Sequence, residues 1–178
     1  MSGLRCDVLA IVDAATLLSA YPDASRNADK PTVIDGRHIY VVSPGDTGAL
    51  GHNDSRLFAG LHPGDQLNLR ETALALRAEL SVLFIRFTVK DAGIVAPIVP
   101  EVRDGAVPVP NADDLLNPEC RPQQDHYWRS DVLASGATSC TADFAVLDRD
   151  GAVSGYYRWE TSIEIGGGKQ AATQPDLN

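Results

Sequence analysis

A tight-turn signal between two apolar stretches constrains this chain more than any other feature of its sequence. Asp150-Gly151 separates residues 141–147 from residues 152–159, and both stretches are rich in β-branched and aromatic residues. An Asp-Gly pair supplies the positive φ angles that a two-residue hairpin turn requires. The pattern therefore predicts a β-hairpin near the C-terminal end. Further turns are predicted at Asp35-Gly36, Asp104-Gly105 and Pro63-Gly64-Asp65.

The N-terminal part of the chain predicts a strand followed by one short helical turn. Residues 6–12 are apolar and partly β-branched, which is typical of a buried strand. Asp13 follows directly, and its carboxylate can accept hydrogen bonds from the free amide groups at a helix N-terminus. We predict helix over residues 14–20, ended by Tyr21-Pro22. The polar residues 23–31 predict a loop.

Two strands are predicted in the middle of the chain, and the segment between them is ambiguous. Apolar residues alternate over residues 66–70, and residues 81–89 have the composition of a strand. Residues 71–80 are rich in Ala, Leu and Glu, which favours helix on propensity. Their leucines nevertheless continue a period of two with one slip of register, which a bulge can absorb. We predict a long hairpin here, with helix at 71–80 as the alternative.

Residues 92–125 differ in character from the rest, because six of the chain's prolines fall within them. Proline cannot donate to a sheet ladder, so central strands are not expected there. We predict a long surface excursion with an edge strand around Val107 as one option, and the order of this region is left open. Regular structure is expected to resume at His126.

Several short strands joined by turn signals, with little helix, predict an all-β and mostly antiparallel fold. The expected architecture is a β-sandwich or a jelly-roll-like barrel with one short N-terminal helical turn. We expect a single domain over residues 1–165. The glycine-rich residues 166–178 predict a flexible C-terminal tail.

Net charge and cysteine content limit the class of protein. A net charge of −9 argues against nucleic-acid binding and against docking on an anionic membrane, since both require clustered Lys and Arg. The three cysteines, Cys6, Cys120 and Cys140, are odd in number and form no C-x-x-C pair. This usage predicts reduced thiols and a cytoplasmic protein. The apolar run after the N-terminus is too short for a secretion signal or a membrane span.

The sequence shows no recognisable catalytic, cofactor or metal motif, so we predict no enzyme, no cofactor and no metal site. It has no G-x-S-x-G elbow and no Walker loop, and its histidines lack compact ligand spacing. A hydrolase that uses His38 or His62 as a base is the function with the least support from the sequence.

An aromatic group supplies the one candidate binding site. If the strands that contain these rings are neighbours, some rings must face outward, and exposed Trp or Tyr beside polar groups suits sugar or peptide binding. In the alternative interpretation, Trp128, Tyr156 and Trp159 fill the core between the sheets. The predicted ligand-binding residues are Asp13, Tyr127, Trp128, Tyr157, Arg158 and Trp159.

The order of motifs along the chain resembles that of the PixA/AidA family of bacterial inclusion-body proteins. The residues concerned are Asp7 to Asp13, Thr16, Leu17, Tyr21-Pro22, Ser25, Pro31, His38 to Val42, Gly64-Asp65, Arg70, Ser81 to Leu83, Gly136, Phe144, Leu147 and Gly155 to Ile165. Glu160 and Thr161 stand where the family pattern has Asp and Pro. The resemblance implies a non-enzymatic, quorum-regulated cytoplasmic protein that acts by self-association, as a homo-oligomer, or as a host-interaction effector. It implies no catalytic residues.

Overall fold

The computed structural model describes residues 3–43, 51–52, 56–59, 61–75 and 79–166. Strands dominate these residues, and the helical elements are short. In chain order the elements are β1 (Arg5–Val12), α1 (Ala14–Ala20), β2 (Thr32–Ile34), a 3-10 helix (Gly36–His38), β3 (Ile39–Val42), β4 (Gly51–His52), β5 (Arg56–Ala59), β6 (Gln66–Ala73), β7 (Leu80–Val89), β8 (Val99–Val109), β9 (Glu119–Asp131), β10 (Gly136–Asp148) and β11 (Val153–Ile165).

The strands form two sheets. Sheet A has six strands in the order β4-β3-β1-β6-β9-β8, and sheet B has the order β2-β11-β10-β7, with β5 also pairing with β11. Most neighbours are antiparallel, but β1 runs parallel to β6, and β11 runs parallel to β2 and β5. The two sheets stay separate, so the prediction of an all-β fold is confirmed in its sandwich form rather than as a barrel.

The core lies between the two sheets and follows the alternation of the strands. Cys6, Val8, Ala10 and Val12 of β1 are buried, while the residues between them are more exposed. Successive side chains of a strand point to opposite faces, so this pattern gives β1 one inner and one outer face. The largest buried side chains from both sheets and α1 are Trp159, Tyr157, Phe144, Leu17, Leu67 and Ile163.

The predicted start of the chain is confirmed. The Asp13 carboxylate accepts a hydrogen bond from the Thr16 amide at 3.1 Å, and α1 ends where the Tyr21 amide donates to the Leu17 carbonyl. Two predicted turns are also confirmed, because Gly64 and Gly151 have φ angles of 95° and 78°. Both angles lie in the left-handed region that favours glycine.

The predicted hairpin over residues 66–89 is wrong. β6 pairs with β1 and β9 in sheet A, whereas β7 pairs with β10 in sheet B. The helix alternative is also wrong where the structure describes the segment, since β6 continues to Ala73; residues 76–78 lie outside the described residues. Each strand has one apolar face, and these faces pack across the sandwich instead of lying side by side. Alternation alone does not distinguish these two arrangements.

Over residues 92–125, the optional edge strand around Val107 is confirmed as β8, but the rest of the predicted surface excursion is wrong because it contains a second long strand. Most of this region forms β8 and the first half of β9, which pair from Val99 opposite Arg129 to Val109 opposite Glu119. The prolines fit because β8 is a sheet edge and the first half of β9 pairs with β8 alone, so missing amide donors interrupt no central ladder. Asp104-Gly105 lies inside β8 and not at a turn, and Asp35-Gly36 begins the 3-10 helix. Beyond Gly166, the predicted tail lies outside the described residues.

Candidate functional site

The predicted aromatic site is not assembled on one surface. Tyr127 and Trp128 belong to sheet A, whereas Tyr157 and Trp159 belong to sheet B. Tyr157 is 0% exposed and Trp159 is 2% exposed, so neither ring offers a face to a ligand. The expectation that Tyr157 and Trp159 lie on the surface is therefore wrong. Of the residues in the alternative interpretation, Trp128 and Trp159 fill the core, whereas Tyr156 is half-buried on the opposite face of β11. A strand packed against an opposing sheet turns its bulkiest side chains inward because their burial gains the most free energy.

The two polar members of the predicted site have local partners. Asp13 caps α1, as predicted. The Arg158 guanidinium donates to the Asp143 carboxylate at 2.6 and 2.8 Å, and Arg86 donates to the same carboxylate at 3.1 Å. Arg86 also donates to the Ala28 carbonyl at 3.0 Å. Asp143 is almost fully buried, and two guanidinium groups compensate its charge while attaching the loop before β2 to sheet B.

Tyr127 lies in a polar network on the outer face of sheet A. Its hydroxyl donates to Glu101 at 2.7 Å, and the same carboxylate accepts from Arg129 at 2.9 Å and Arg103 at 3.2 Å. The guanidinium groups of Arg70 and Arg103 lie 5.6 and 5.2 Å from the centre of the Tyr127 ring. Cations at this distance interact favourably with the ring face. The hydrogen bond to Tyr127, followed by that to Arg129, lowers the pKa of Glu101 to about 2.

A groove on the same outer face was not predicted. It has a volume of about 410 Å³ and is lined by Asp7, Val8, Leu9, Val42, Ser43, Asn68 and Arg70. It forms where β3, β1 and β6 lie side by side, with Asp7 opposite Asn68 and Leu9 opposite both Val42 and Arg70. The sequence signal for it is a polar residue inside an apolar strand, Asp7 in β1 and Asn68 in β6. That signal does not show that the two strands are neighbours.

The second notable surface is the part of the β8–β9 hairpin that extends past the end of β6. We call it the arm (residues 99–127). β6 reaches β9 only at residues 128–131, so the arm strands pair with each other alone. Most arm residues are exposed, and Leu115 and Leu116 at its tip are 74% and 91% exposed. Sequence reasoning offered only the edge strand around Val107 and missed the second strand of the arm, because the prolines argued against long strands.

Within the described residues, no three His, Cys, Asp or Glu side chains lie close enough together to hold a metal ion. All three cysteines are unpaired, and burial raises the pKa of Cys140 to about 12. No helix in the described part of the chain is long and apolar enough to cross a bilayer. The His126 ring contacts the shielded Glu71 carboxylate at 2.8 Å, where the arm joins sheet A.

Comparisons with known proteins identify the family. The matching family model is described as PixA, inclusion body protein, and it covers residues 5–165. The chain is similar to the crystal structure of the inclusion body protein (PixA) from Burkholderia cenocepacia J2315, with 20% identity, a TM-score of 0.76, and coverage of 93% of this chain and 97% of that chain. At this identity the structural similarity supports the fold alone. No curated protein matches the chain. Because the family match spans both sheets, the chain belongs to the PixA inclusion body protein family.

Proposed function

We propose that this protein acts by associating with copies of itself and that the arm makes the contact. The observation behind the proposal is the position of Leu115 and Leu116, which are 74% and 91% exposed at the tip of a projecting hairpin. A single exposed leucine is ordinary on a protein surface. Two adjacent exposed leucines at the tip of a hairpin form an apolar surface of the kind that a partner covers.

The pairing of the arm supports the same proposal. A two-stranded hairpin that packs on nothing else is marginally stable in water. The arm strands pair only with each other over most of their length, so packing against a second copy would stabilise them as well as bury the leucines. Family membership agrees with this role, since an inclusion body is an assembly of many copies.

The composition of β8 favours side-chain docking over strand addition. An unpaired edge strand can template the addition of another strand. In β8, however, Pro100 and Pro108 lack amide donors, and Arg103 and Asp104 are charged and exposed. These features interrupt a continuous ladder, so we expect association through the leucine tip and not through an extended intermolecular sheet.

Sedimentation velocity over a wide concentration range tests the proposal. We expect the wild-type chain to associate and the L115S/L116S variant to remain monomeric. The control is V33S/L133S, which replaces two exposed aliphatic side chains (57% and 53% exposed) outside the arm by serine and is expected to associate as the wild type does. A monomeric wild-type chain, or a tip variant that associates normally, would contradict the proposal.

Salt provides an independent test of the same contact. The net charge of −9 makes copies repel one another at low ionic strength. Screening shortens the range of this repulsion, to about 8 Å at physiological salt. Association through an apolar tip should therefore strengthen as salt is added, whereas association through ion pairs would weaken.

We further propose that the protein performs no catalytic step and accumulates in the cytoplasm under cell-density control. The family resemblance supports these points, and the three unpaired cysteines fit a reducing compartment. Fractionation of cells sampled through growth tests location and timing together. Accumulation independent of cell density would contradict the regulatory part. Secretion into the medium would instead favour action as a host-interaction effector.

The alternative function, a carbohydrate-binding module that uses surface aromatics, has less support because Tyr157 and Trp159 are interior. Of the predicted rings, Tyr127 lies nearest a polar surface, and arginines already flank it. Tryptophan fluorescence titrated with a sugar panel tests this alternative, and a saturable change would revive it.

A further inference from the structure

The groove on the outer face of sheet A has the size and lining of a small-molecule site. Its volume of about 410 Å³ falls within the range of roughly 300–1,000 Å³ typical of ligand pockets. Leu9 and Val42 are half-buried and give it an apolar surface. Asp7, Asn68 and Arg70 supply the polar groups. A mostly apolar groove with a few positioned polar groups selects ligands by charge and length.

The Asp7 carboxylate is held in place, but only one of its two oxygens accepts a hydrogen bond from the described residues. Its Oδ1 accepts from the Asn68 amide nitrogen at 2.7 Å, and Asn68 is 6% exposed, so the contact holds the carboxylate in place. Its Oδ2 has no hydrogen-bond partner among the residues that the structure describes. Asp7 itself is exposed to solvent in the groove. It therefore presents an oriented acceptor oxygen to an incoming ligand.

The two charged side chains that line the groove differ in what they already bind. Both terminal nitrogens of Arg70 donate to the Asp125 carboxylate, so its positive charge is already matched. The pKa of Arg70 is raised chiefly by that hydrogen bond and also by the charge of Asp7. Arg5, two residues before Asp7 on the same face of β1, adds a second positive charge, so the charges of these four residues balance. The ligand preference therefore depends on hydrogen bonding: among the described lining residues, Asp7 keeps a charged oxygen open, which favours a ligand that donates hydrogen bonds and carries positive charge.

We propose that this groove binds a small primary amine. The ammonium group donates to Asp7 Oδ2, and a short aliphatic chain lies along Leu9 and Val42. An ammonium has donors only, which matches an acceptor oxygen without a hydrogen-bond partner among the described residues. This assignment is independent of self-association, because the groove lies on β1, β3 and β6 and not on the arm tip.

Ligand-observed NMR titration with three six-carbon probes tests the charge preference. The probes are n-hexylammonium, n-hexanol and hexanoate, which share an apolar chain and differ in the head group. We expect hexylammonium to bind at least about tenfold more tightly than either of the others, because a charge-assisted hydrogen bond is worth more than a neutral one. Shortening the amine to butylammonium should weaken binding by about two- to fourfold for each methylene removed.

Asp7→Asn identifies the residue responsible. The substitution keeps the shape and the acceptor for Asn68 but removes the charge, so hexylammonium affinity should fall about tenfold to the level of hexanol. Asp113→Asn is the matched control, because it makes the same change in net charge at an exposed arm position and should leave affinity unaltered. If D7N fails to fold, Leu9→Ser provides the second variant, which should abolish the dependence on chain length. Equal binding of the three probes, no saturable binding, or unchanged affinity in a folded D7N or L9S variant would overturn the proposal.

Discussion

The molecule contains two long antiparallel hairpins, β10–β11 and the arm, whose surroundings are opposite. β11 buries alternate residues along its length and β10 buries residues 142–146 in succession, with Phe144, Tyr157 and Ile163 fully enclosed. The arm exposes nearly every residue on both faces. Backbone pairing is no weaker in the arm, since its ladder is unbroken, whereas the β10–β11 ladder has a register shift between Val146 and Leu147. The ladder alone therefore does not determine how strongly a hairpin is held; the side chains that pack on its faces do.

Thiol labelling should show the largest difference between the two hairpins. Cys120 is exposed on the arm, whereas Cys140 is 2% exposed in β10 and burial raises its pKa to about 12. The thiolate is the reactive form, so Cys140 is both inaccessible and protonated at neutral pH. We expect Cys120 to react at the rate of a free thiol and Cys140 at least about 10³-fold more slowly, through unfolding. Stopped-time mass spectrometry with iodoacetamide measures both rates, and rapid labelling of Cys140 would contradict the packing described here.

Truncating a buried side chain in β10 should lower the free energy of unfolding by several kcal/mol more than truncating an exposed side chain in the arm. Phe144→Ala removes a fully buried ring from β10 and is expected to lower the free energy of unfolding by about 3–5 kcal/mol. Val102→Ala removes an exposed side chain from the arm and should change it by less than about 0.5 kcal/mol. Urea denaturation gives both values. Comparable losses in the two variants would mean that a partner covers the arm under the conditions used.

Two of the three Asp-Gly pairs, Asp104-Gly105 in a strand and Asp150-Gly151 at a turn, allow a matched comparison of glycine substitutions. Gly151 has a φ of 78° at the β10–β11 turn, so Gly151→Ala places a side chain in a strained conformation at a cost of about 1 kcal/mol. Gly105 lies in the arm, where a Cβ would meet only the Gln123 carbonyl oxygen at 3.7 Å. Gly105→Ala should therefore be neutral or stabilising by up to about 0.5 kcal/mol. Thermal unfolding of the two variants checks the order, and the reverse order would contradict the assignment.

The smallest expected effect is the pH dependence of the stability that Glu101 contributes where the arm joins the rest of sheet A. Hydrogen bonds from Tyr127 and Arg129 lower the pKa of Glu101 from 4.5 to about 2. A lowered pKa in the folded state adds stability that is present above pH 4.5 and is lost as the pH falls toward about 2. Glu101→Gln should therefore lower Tm at neutral pH, and the difference from wild type should disappear near pH 2. Glu119→Gln, at the far end of β9, is the control, and a pH-independent Tm difference in E101Q would contradict the network.

Features set by neighbours in the chain were predicted correctly. The Asp13 cap, the end of α1 at Tyr21 and the turn at Gly151 depend on residues within a few positions of one another, and the sequence contains all of them. The alternation of residues in β1 likewise predicts which of its two faces is buried. The errors were longer in range: β6 and β7 have the alternation of a hairpin, but their partners lie elsewhere in the chain.

The candidate sites were not predicted correctly for the same reason. Nothing local to Asp7 or Asn68 indicates that they meet, because 61 positions separate them and β1 and β6 run parallel. Nothing local to Tyr157 indicates which of its strand's faces turns inward, since the aromatic stretch of β11 has bulky residues on both. The edge strand around Val107 was one predicted option, but its partner β9 was missed because nothing local shows that the first half of β9 pairs on one side only.

The sequence by itself determined that this chain forms strands with one apolar face, a capped first helix and a tight C-terminal turn, and its order of motifs indicated the PixA family. The tertiary structure alone decided which strands are neighbours, which aromatic rings are interior, and that one hairpin projects from the body with leucines at its tip. The physical reason is that local propensity and alternation act over a few residues. Strand pairing and burial are chosen by contacts between distant segments, where the free energy of packing exceeds any local preference.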